Sequence, residues 1–263
     1  MRTEIIYEDK SILVCHKPSG IAVQTSKVGE MDVVSELKNY LAAKKGEYRG
    51  YLGIVHRLDQ PVEGLLVFAK TKDAAAKLTR QLQDGTLNKD YLAVVCYGGE
   101  EGFPEADFPM EGTLVDEIAK SPGNRAVIRD LAGMNEQGPD KYGAWKTEKQ
   151  DQELIFKKAV LHYKMTNMSH IELKECSLFL AEIHIETGRF HQIRAQMSHA
   201  GFPILGDYKY GNDISVMLSK DLNLHTILLC ADRISFSHPV TSKIMEFKIC
   251  PAHSLFKAAS QKV

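Results

Sequence analysis

No apolar run in this chain approaches the length of a membrane span, which takes about 20 residues of helix. The amino terminus, Met1-Arg2-Thr3-Glu4-Ile5-Ile6-Tyr7-Glu8-Asp9, is acidic and lacks the apolar core of a secretion signal. Cysteines are few: Cys15, Cys96, Cys176, Cys230 and Cys250 are scattered, odd in number and without a C-x-x-C pair. Neither a disulfide framework nor a zinc site is supported, and the thiols read as reduced and buried. Net charge is nearly absent, −1 over 263 residues. That excludes a protein coated in positive charge, so any nucleic-acid contact has to come from a local patch. No metal motif and no Gly-rich nucleotide loop is present, so no cofactor is expected. The expectation is a soluble, cytoplasmic, monomeric protein that does not contact membranes.

What is present suits a folded globule. Hydrophobic residues make up 44% and charged residues 25%, enough for one large core or two modest ones and too apolar for disorder. Strands are expected at 5–7, 12–15, 65–69, 91–97, 158–165, 169–173, 178–185, 226–236 and 245–249. A helix is expected over 32–45 with Asp32 as N-cap and Gly46 closing it, and another from the cap Thr71 to Gly85. A third follows Thr187-Gly188-Arg189 and ends at Gly201. Regular β-α-β alternation is missing. The fold class is therefore α+β, with a mixed, mostly antiparallel sheet flanked by helices and loops. One domain is expected over 1–263, with an irregular excursion at about 98–157 carrying a short β-ribbon or two. Between 120 and 149 basic residues outnumber acidic ones by two, which reads as a solvated loop rather than a dedicated RNA-binding arm.

Two stretches concentrate chemistry. His56-Arg57-Leu58-Asp59-Gln60-Pro61-Val62-Glu63-Gly64 is a charged loop feeding the apolar run 65–69, and loops held at the end of a rigid strand often carry catalytic groups. A surface turn with an ion pair is the plainer reading. Glu186-Thr187-Gly188-Arg189-Phe190-His191-Gln192-Ile193-Arg194 lies at a strand-to-helix junction. Its glycine permits close approach of a ligand, and its arginines add fork-shaped donors. On a helix Arg194 shares a face with Phe190 and Met197, so it is expected to point inward to a carboxylate. An N-cap with surface arginines is the plainer alternative.

Taken together, the chain resembles the RluA-type pseudouridine synthases. The resemblance rests on His56-Arg57-Leu58-Asp59 with Gly64, on Lys89-Asp90-Tyr91, and on Thr187 through Arg194. It continues through Gly201-Phe202-Pro203-Ile204-Leu205-Gly206-Asp207, Tyr210-Gly211 and Phe236-Ser237-His238-Pro239, with Lys17-Pro18-Ser19-Gly20 near the start. These motifs fall in the family's order from about residue 5 to 250. Two departures stand out. Val62-Glu63 replaces the usual Thr-Ser, setting a second carboxylate near the loop where it bears on RNA approach, and Leu229-Cys230-Ala231 replaces the Leu-His-Ala of many relatives. On this resemblance the protein is expected to begin directly with the catalytic region, without the small N-terminal RNA-binding domain of many relatives.

The resemblance implies isomerisation of a uridine within structured rRNA or tRNA, turning its N1–C1′ bond into C5–C1′. Asp59 would either attack the sugar or remove a proton from it. Tyr91 would stack on the flipped uracil and assist proton removal from C5, and Arg194 would pair with Asp59. Arg57 would fill the space that the base vacates. Lys89, Arg189, His191 and Gln192 are assigned to RNA contacts or to fixing the loop, His191 being equally readable as a structural histidine, and Leu229 to packing below the base. Two other classes compete: a catalytically silent RNA-binding protein on the same scaffold, and a hydrolase with an aspartate nucleophile, for which Glu63 is the nearby water-activating candidate.

Overall fold

The structure is a computed structural model that describes residues 1–27, 29–44, 50–98, 110–129, 154–168 and 176–260. In chain order its elements begin with β1 (Glu4–Glu8), β2 (Ile12–Lys17), α1 (Val33–Ala43), β3 (Gly53–Ile54), β4 (Glu63–Ala69) and α2 (Lys72–Gln83). They continue with β5 (Asn88–Gly98), β6 (Glu111–Lys120), β7 (Ala126–Arg129), β8 (Lys157–Asn167) and β9 (Cys176–Ile185). The last are α3 (Gln192–His199), α4 (Asp213–Asp221), β10 (Leu229–Ser237), β11 (Ile244–Lys248) and α5 (Ser254–Ser260). The strand expected at 169–173 lies outside the described residues.

The chain divides into two compact units, Met1–Tyr91 with Leu229–Ala252 and Leu92–Leu228 with His253–Val263. In the first, β1, β2, β4 and β10 lie side by side, β11 extends from β10, and β3 pairs with the far end of β4. All these pairs are antiparallel except β4 with β10. Every residue of β4 is buried, as a strand covered on both faces must be, which is why it reads as an unbroken apolar run. One face (Leu65, Val67, Ala69) joins Ile12, Val14, Ile234 and Phe236 under Ala74 and Leu78 of α2. Helix α2 begins where Thr71 accepts from Ala74 N–H at 3.1 Å, and α1 where Asp32 accepts from Ser35 N–H at 2.7 Å. Side-chain oxygens at these caps satisfy amides that the first turn leaves open.

In the second unit β5, β9, β8, β6 and β7 follow one another, with β8 antiparallel to both β9 and β6. The expected ribbon is the antiparallel hairpin β6–β7, which pairs Glu117 with Arg129 and Lys120 with Ala126. Ile118, Ala126 and Ala159 pack against Ala195 of α3. The third expected helix starts later than its pattern suggests. His191 takes a left-handed φ of 53°, so α3 begins at Gln192 and Phe190 is not on the helix face shared by Arg194 and Met197. Among the described residues no helix is long and apolar enough to cross a membrane.

Candidate active site

The loop carrying Asp59 runs between β3 and β4 and is strapped down at its turn. Lys17, 0% exposed, donates from Nζ to the carbonyls of Gln60 (2.9 Å), Ile21 (2.8 Å) and Pro18 (3.1 Å). Gly20 N–H donates to the Gln60 carbonyl at 2.9 Å, and Ser19 Oγ to the Pro61 carbonyl at 2.6 Å. An ammonium out of water is costly unless its protons are taken up, and three carbonyls take them here. Burial still pushes Lys17 down to about 8, against the pull of Asp59. The turn Lys17-Pro18-Ser19-Gly20 thus holds the turn Gln60-Pro61 one residue beyond the candidate nucleophile. Lys17 was quoted in the resemblance without a role; its only local signal is a lysine at the end of a buried apolar strand.

Asp59 itself is half-buried, and its charge is felt by Lys17 and by Tyr91. Tyr91 is 6% exposed. Burial first, then the carboxylates of Asp59 and Asp90, push its hydroxyl far up, so it stays a neutral phenol. Asp59 and Tyr91 thus lie within electrostatic reach of each other in the first unit. Arg57 is exposed and donates from Nη2 to Gln24 Oε1 at 3.1 Å. His56 is buried, and desolvation, with the Lys89 charge second, pushes it down to about 3. Its Nε2 accepts from Val67 N–H at 3.3 Å, leaving the proton on Nδ1, which has no partner among the described residues. Lys89 is half-buried and held below the usual lysine range by desolvation. Leu229 is 3% exposed at the start of β10.

Glu63 points into the protein. It is buried, its Oε1 lies 2.8 Å from His16 Nε2, and its two oxygens accept from Ala252 N–H at 3.1 and 3.3 Å. His16 Nδ1 lies 3.6 Å from Glu4. The Glu63 hydrogen bond, outweighing burial, raises the His16 pKa. The Glu63 carboxylate is thus occupied internally, which leaves the Val62-Glu63 departure with a structural role that sequence reading missed.

Gly64 follows with φ 145°, and a Cβ there would meet the Cβ, N and O of Ala231 at 2.5, 2.6 and 2.7 Å. Only glycine lets β4 and β10 pair here.

In the second unit the junction before α3 is wired through Gln192, which is 4% exposed. Its Oε1 accepts from Thr187 Oγ1 (2.8 Å) and Arg189 N–H (3.0 Å), and its Nε2 donates to the Val160 carbonyl (3.0 Å). Arg189 Nε donates to the Lys158 carbonyl at 2.8 Å. His191 stacks on Phe190 and shares a 2.8 Å hydrogen bond with the Tyr210 hydroxyl. Arg194, 5% exposed, grips Asp207 with two bonds, Nε to Oδ2 at 2.7 Å and Nη2 to Oδ1 at 2.9 Å. Asp207 also accepts from Lys209 and Tyr210 N–H at 3.0 and 3.2 Å. Arg194 does point inward to a carboxylate, and Asp207 is one that sequence reasoning did not single out. A bidentate clamp of this kind fixes the guanidinium plane.

These features match one enzyme class. The chain belongs to the RNA pseudouridylate synthase family, whose sequence profile matches residues 11–199. It is 33% identical over 254 residues to the ribosomal large subunit pseudouridine synthase D of Zymomonas mobilis, covering 93% of this chain and 68% of that one. It is 32% identical to the corresponding protein of Neisseria meningitidis serogroup B, of which it spans 58%. With the tRNA pseudouridine synthase C of Pasteurella multocida it shares 29% identity over 95% of this chain and 91% of that one. The solved structure of human RNA pseudouridylate synthase domain containing 4 shares the fold, with a TM-score of 0.65 at 21% identity over 97% of this chain and 91% of that one.

Proposed function

We propose that this chain isomerises specific uridines in structured RNA, rRNA or tRNA, to pseudouridine, with Asp59 as its key catalytic residue. The observation that carries this reading is the setting of Asp59. It is half-buried beside a neutral Tyr91, on a loop whose next residue is strapped by Lys17. The reaction breaks N1–C1′, forms C5–C1′ and moves a proton from C5 to N1, so it balances without oxidant, reductant or co-substrate. Asp59 serves either as nucleophile on the sugar or as base for a sugar proton.

Tyr91 stacks on the flipped uracil, a contact worth roughly 1–3 kcal/mol. As a phenol it offers a donor before it offers a base. The exposed Arg57 fills the vacated space, against an unstacking cost of roughly a few kcal/mol. Arg194, its plane fixed by Asp207, keeps the catalytic role that the resemblance assigns to it. Lys89, Arg189, His191, Gln192 and Leu229 contact the RNA or hold the groups that do. The buried, internally bonded amide of Gln192 supports the second of these roles for it. The protein acts in the cytoplasm as a monomer, with residues 1–263 as one catalytic domain.

The test is incubation with cellular RNA from a strain lacking the protein, followed by chemical mapping of pseudouridine. A new site, lost in Asp59→Ala, is the expected result. RNA binding without any new site for the unaltered protein would replace the enzyme with a silent binding module, and released uracil would indicate hydrolysis.

A further inference from the structure

The second unit contains an open cleft of about 640 Å³ that no step of the proposed reaction uses. Its walls come from three places: the end of β6 and the turn after it (Lys120, Ser121, Asn124), the approach to β8 (Leu154, Ile155, Lys157), and the segment Gly188-Arg189-Phe190. Among the described residues the lining holds three cations, Lys120, Lys157 and Arg189, and no carboxylate. In a chain whose net charge is −1, that is a strong local concentration of positive charge. Among the described residues none of the three forms a salt bridge. Lys120 Nζ sits 4.7 Å above the Phe190 ring, whose neighbour on the stack is His191 at 3.8 Å. Arg189 is aimed by its Nε bond to the Lys158 carbonyl, and its terminal nitrogens make no hydrogen bond among the described residues.

The floor is stiff. Gln192 ties Thr187 and Arg189 to β8 through Val160, and Tyr210 accepts from Ala126 N–H at 2.6 Å. Lys209 Nζ donates to the Asn124 carbonyl, holding the β6–β7 turn. Three cations that form no salt bridge among the described residues, set on a fixed frame, suit an extended anion. The volume exceeds that of a single phosphate, and Ser121, Asn124 and Gly188 supply polar groups around its rim.

We propose that this cleft is a phosphodiester-binding subsite, which takes a backbone segment of the substrate RNA through Lys120, Lys157 and Arg189. It rests on the reading of the chain as an RNA-modifying enzyme and names a contact surface for that RNA. The turn residues around 120 thereby belong to RNA recognition, although the sequence pattern there suggests a solvated loop. Contacts of this type carry no base information. They set register and orientation and make affinity depend on salt.

The test uses the full chain with two probes, unmodified transcripts of large-subunit ribosomal RNA and of transfer RNA. Affinity is measured across a salt series for the unaltered protein, for Lys120→Ala with Lys157→Ala, and for a charge-matched control, Lys10→Ala with Lys38→Ala, two exposed lysines of the first unit. Each phosphate contact contributes about 0.7–0.9 to the slope of log affinity against log salt. The cleft variant is therefore expected to lose about 1.5 from the slope and on the order of tenfold in affinity at moderate salt. The control should keep the slope, the affinity and the pseudouridine yield of the unaltered protein. Equal weakening of both variants, or of neither, overturns the subsite, as does tight competition by inorganic phosphate alone, which would make it a small-anion site. If the unaltered protein forms no pseudouridine in either RNA, the proposed function fails, and the slope comparison still decides the cleft. Unchanged melting temperatures in both variants keep a folding defect out of the result.

Discussion

Glu63 and Cys230 stand opposite each other across the parallel pair of β4 and β10, and each belongs to one of the two stretches, Val62-Glu63 and Leu229-Cys230-Ala231, that stood out in the sequence. Both side chains are buried there. A carboxylate there needs a hydrogen-bonded partner, and the imidazole comes from β2, as His16, at 2.8 Å. Burial, with the Glu63 charge second, pushes the Cys230 thiol far up, so it sits beside the carboxylate as a neutral group.

Removing the carboxylate therefore tests stability before it tests recognition. Glu63→Ser strands His16 and the Ala252 N–H, and the expected loss is about 2–3 kcal/mol, read by urea denaturation. The set of uridines modified should stay as it is. The pH dependence follows from the raised His16 pKa. Stability from the pair is fully present below the unfolded histidine value of about 6.5 and is lost as pH rises through the folded one. Glu63→Gln should shrink that alkaline loss to the part that Glu4 sustains. A changed modification map with unchanged stability would return Glu63 to the RNA-facing role.

Much of the local architecture was legible and the long-range pairing was not. Asp32 and Thr71 announce the starts of α1 and α2 because a cap is a matter of four consecutive residues. The burial of β4 shows as an apolar run for the same reason. Lys17 beneath Gln60, Arg194 against Asp207 and His16 against Glu63 join residues 13 to 47 positions apart, and no periodicity encodes such partners. The late start of α3 turns on one left-handed residue, His191, whose side chain gives no such signal. Helix α4 went unexpected although Asn212 caps it, since its nine residues bury only Ser215, Leu218 and Ser219. Asp59 and Arg194 stand out as candidates by motif, and the clamps around Gln60 and Arg194 are visible only in the structure.

Lys17→Met removes the ammonium but keeps the stem. Three carbonyls would lose their donor, Gln60 retaining only the Gly20 N–H. The expected loss is about 3–5 kcal/mol, the range for breaking a buried charged interaction. Turnover should fall with it, because the loop next to Asp59 loses its strap. Limited proteolysis should find a new cut near 59–62. Intact turnover at a temperature where the variant is fully folded would show that the strap serves stability alone.

Gly64→Ala probes the close approach of β4 and β10. At φ 145° an alanine is strained, and its Cβ would lie 2.5–2.7 Å from Ala231 atoms, two of them backbone. A loss exceeding about 3 kcal/mol is expected, from strain and overpacking together. Ala231→Gly in the same chain should recover only part of it, since the backbone N and O remain in the way. Full recovery would mean that the side chains alone collide. Denaturation midpoints of the three variants distinguish these outcomes.

His56 sets an acid limit. In the unfolded chain it protonates near 6.5, and in the folded protein burial delays this to about 3. Between those values the unfolded state binds more protons, so stability falls as pH is lowered, by up to about 1.4 kcal/mol per unit. Asp232 works in the opposite sense. Burial raises its carboxyl to about 6, so it gives up stability as pH rises from about 4 to 6 and partly masks the histidine. The experiment is therefore done in an Asp232→Asn background, with urea midpoints measured from pH 7 to 4.5, above the range where most carboxylates titrate. Adding His56→Gln, which cannot titrate, should flatten the slope. A slope that persists in the double variant would mean that the acid limb is governed by groups other than His56.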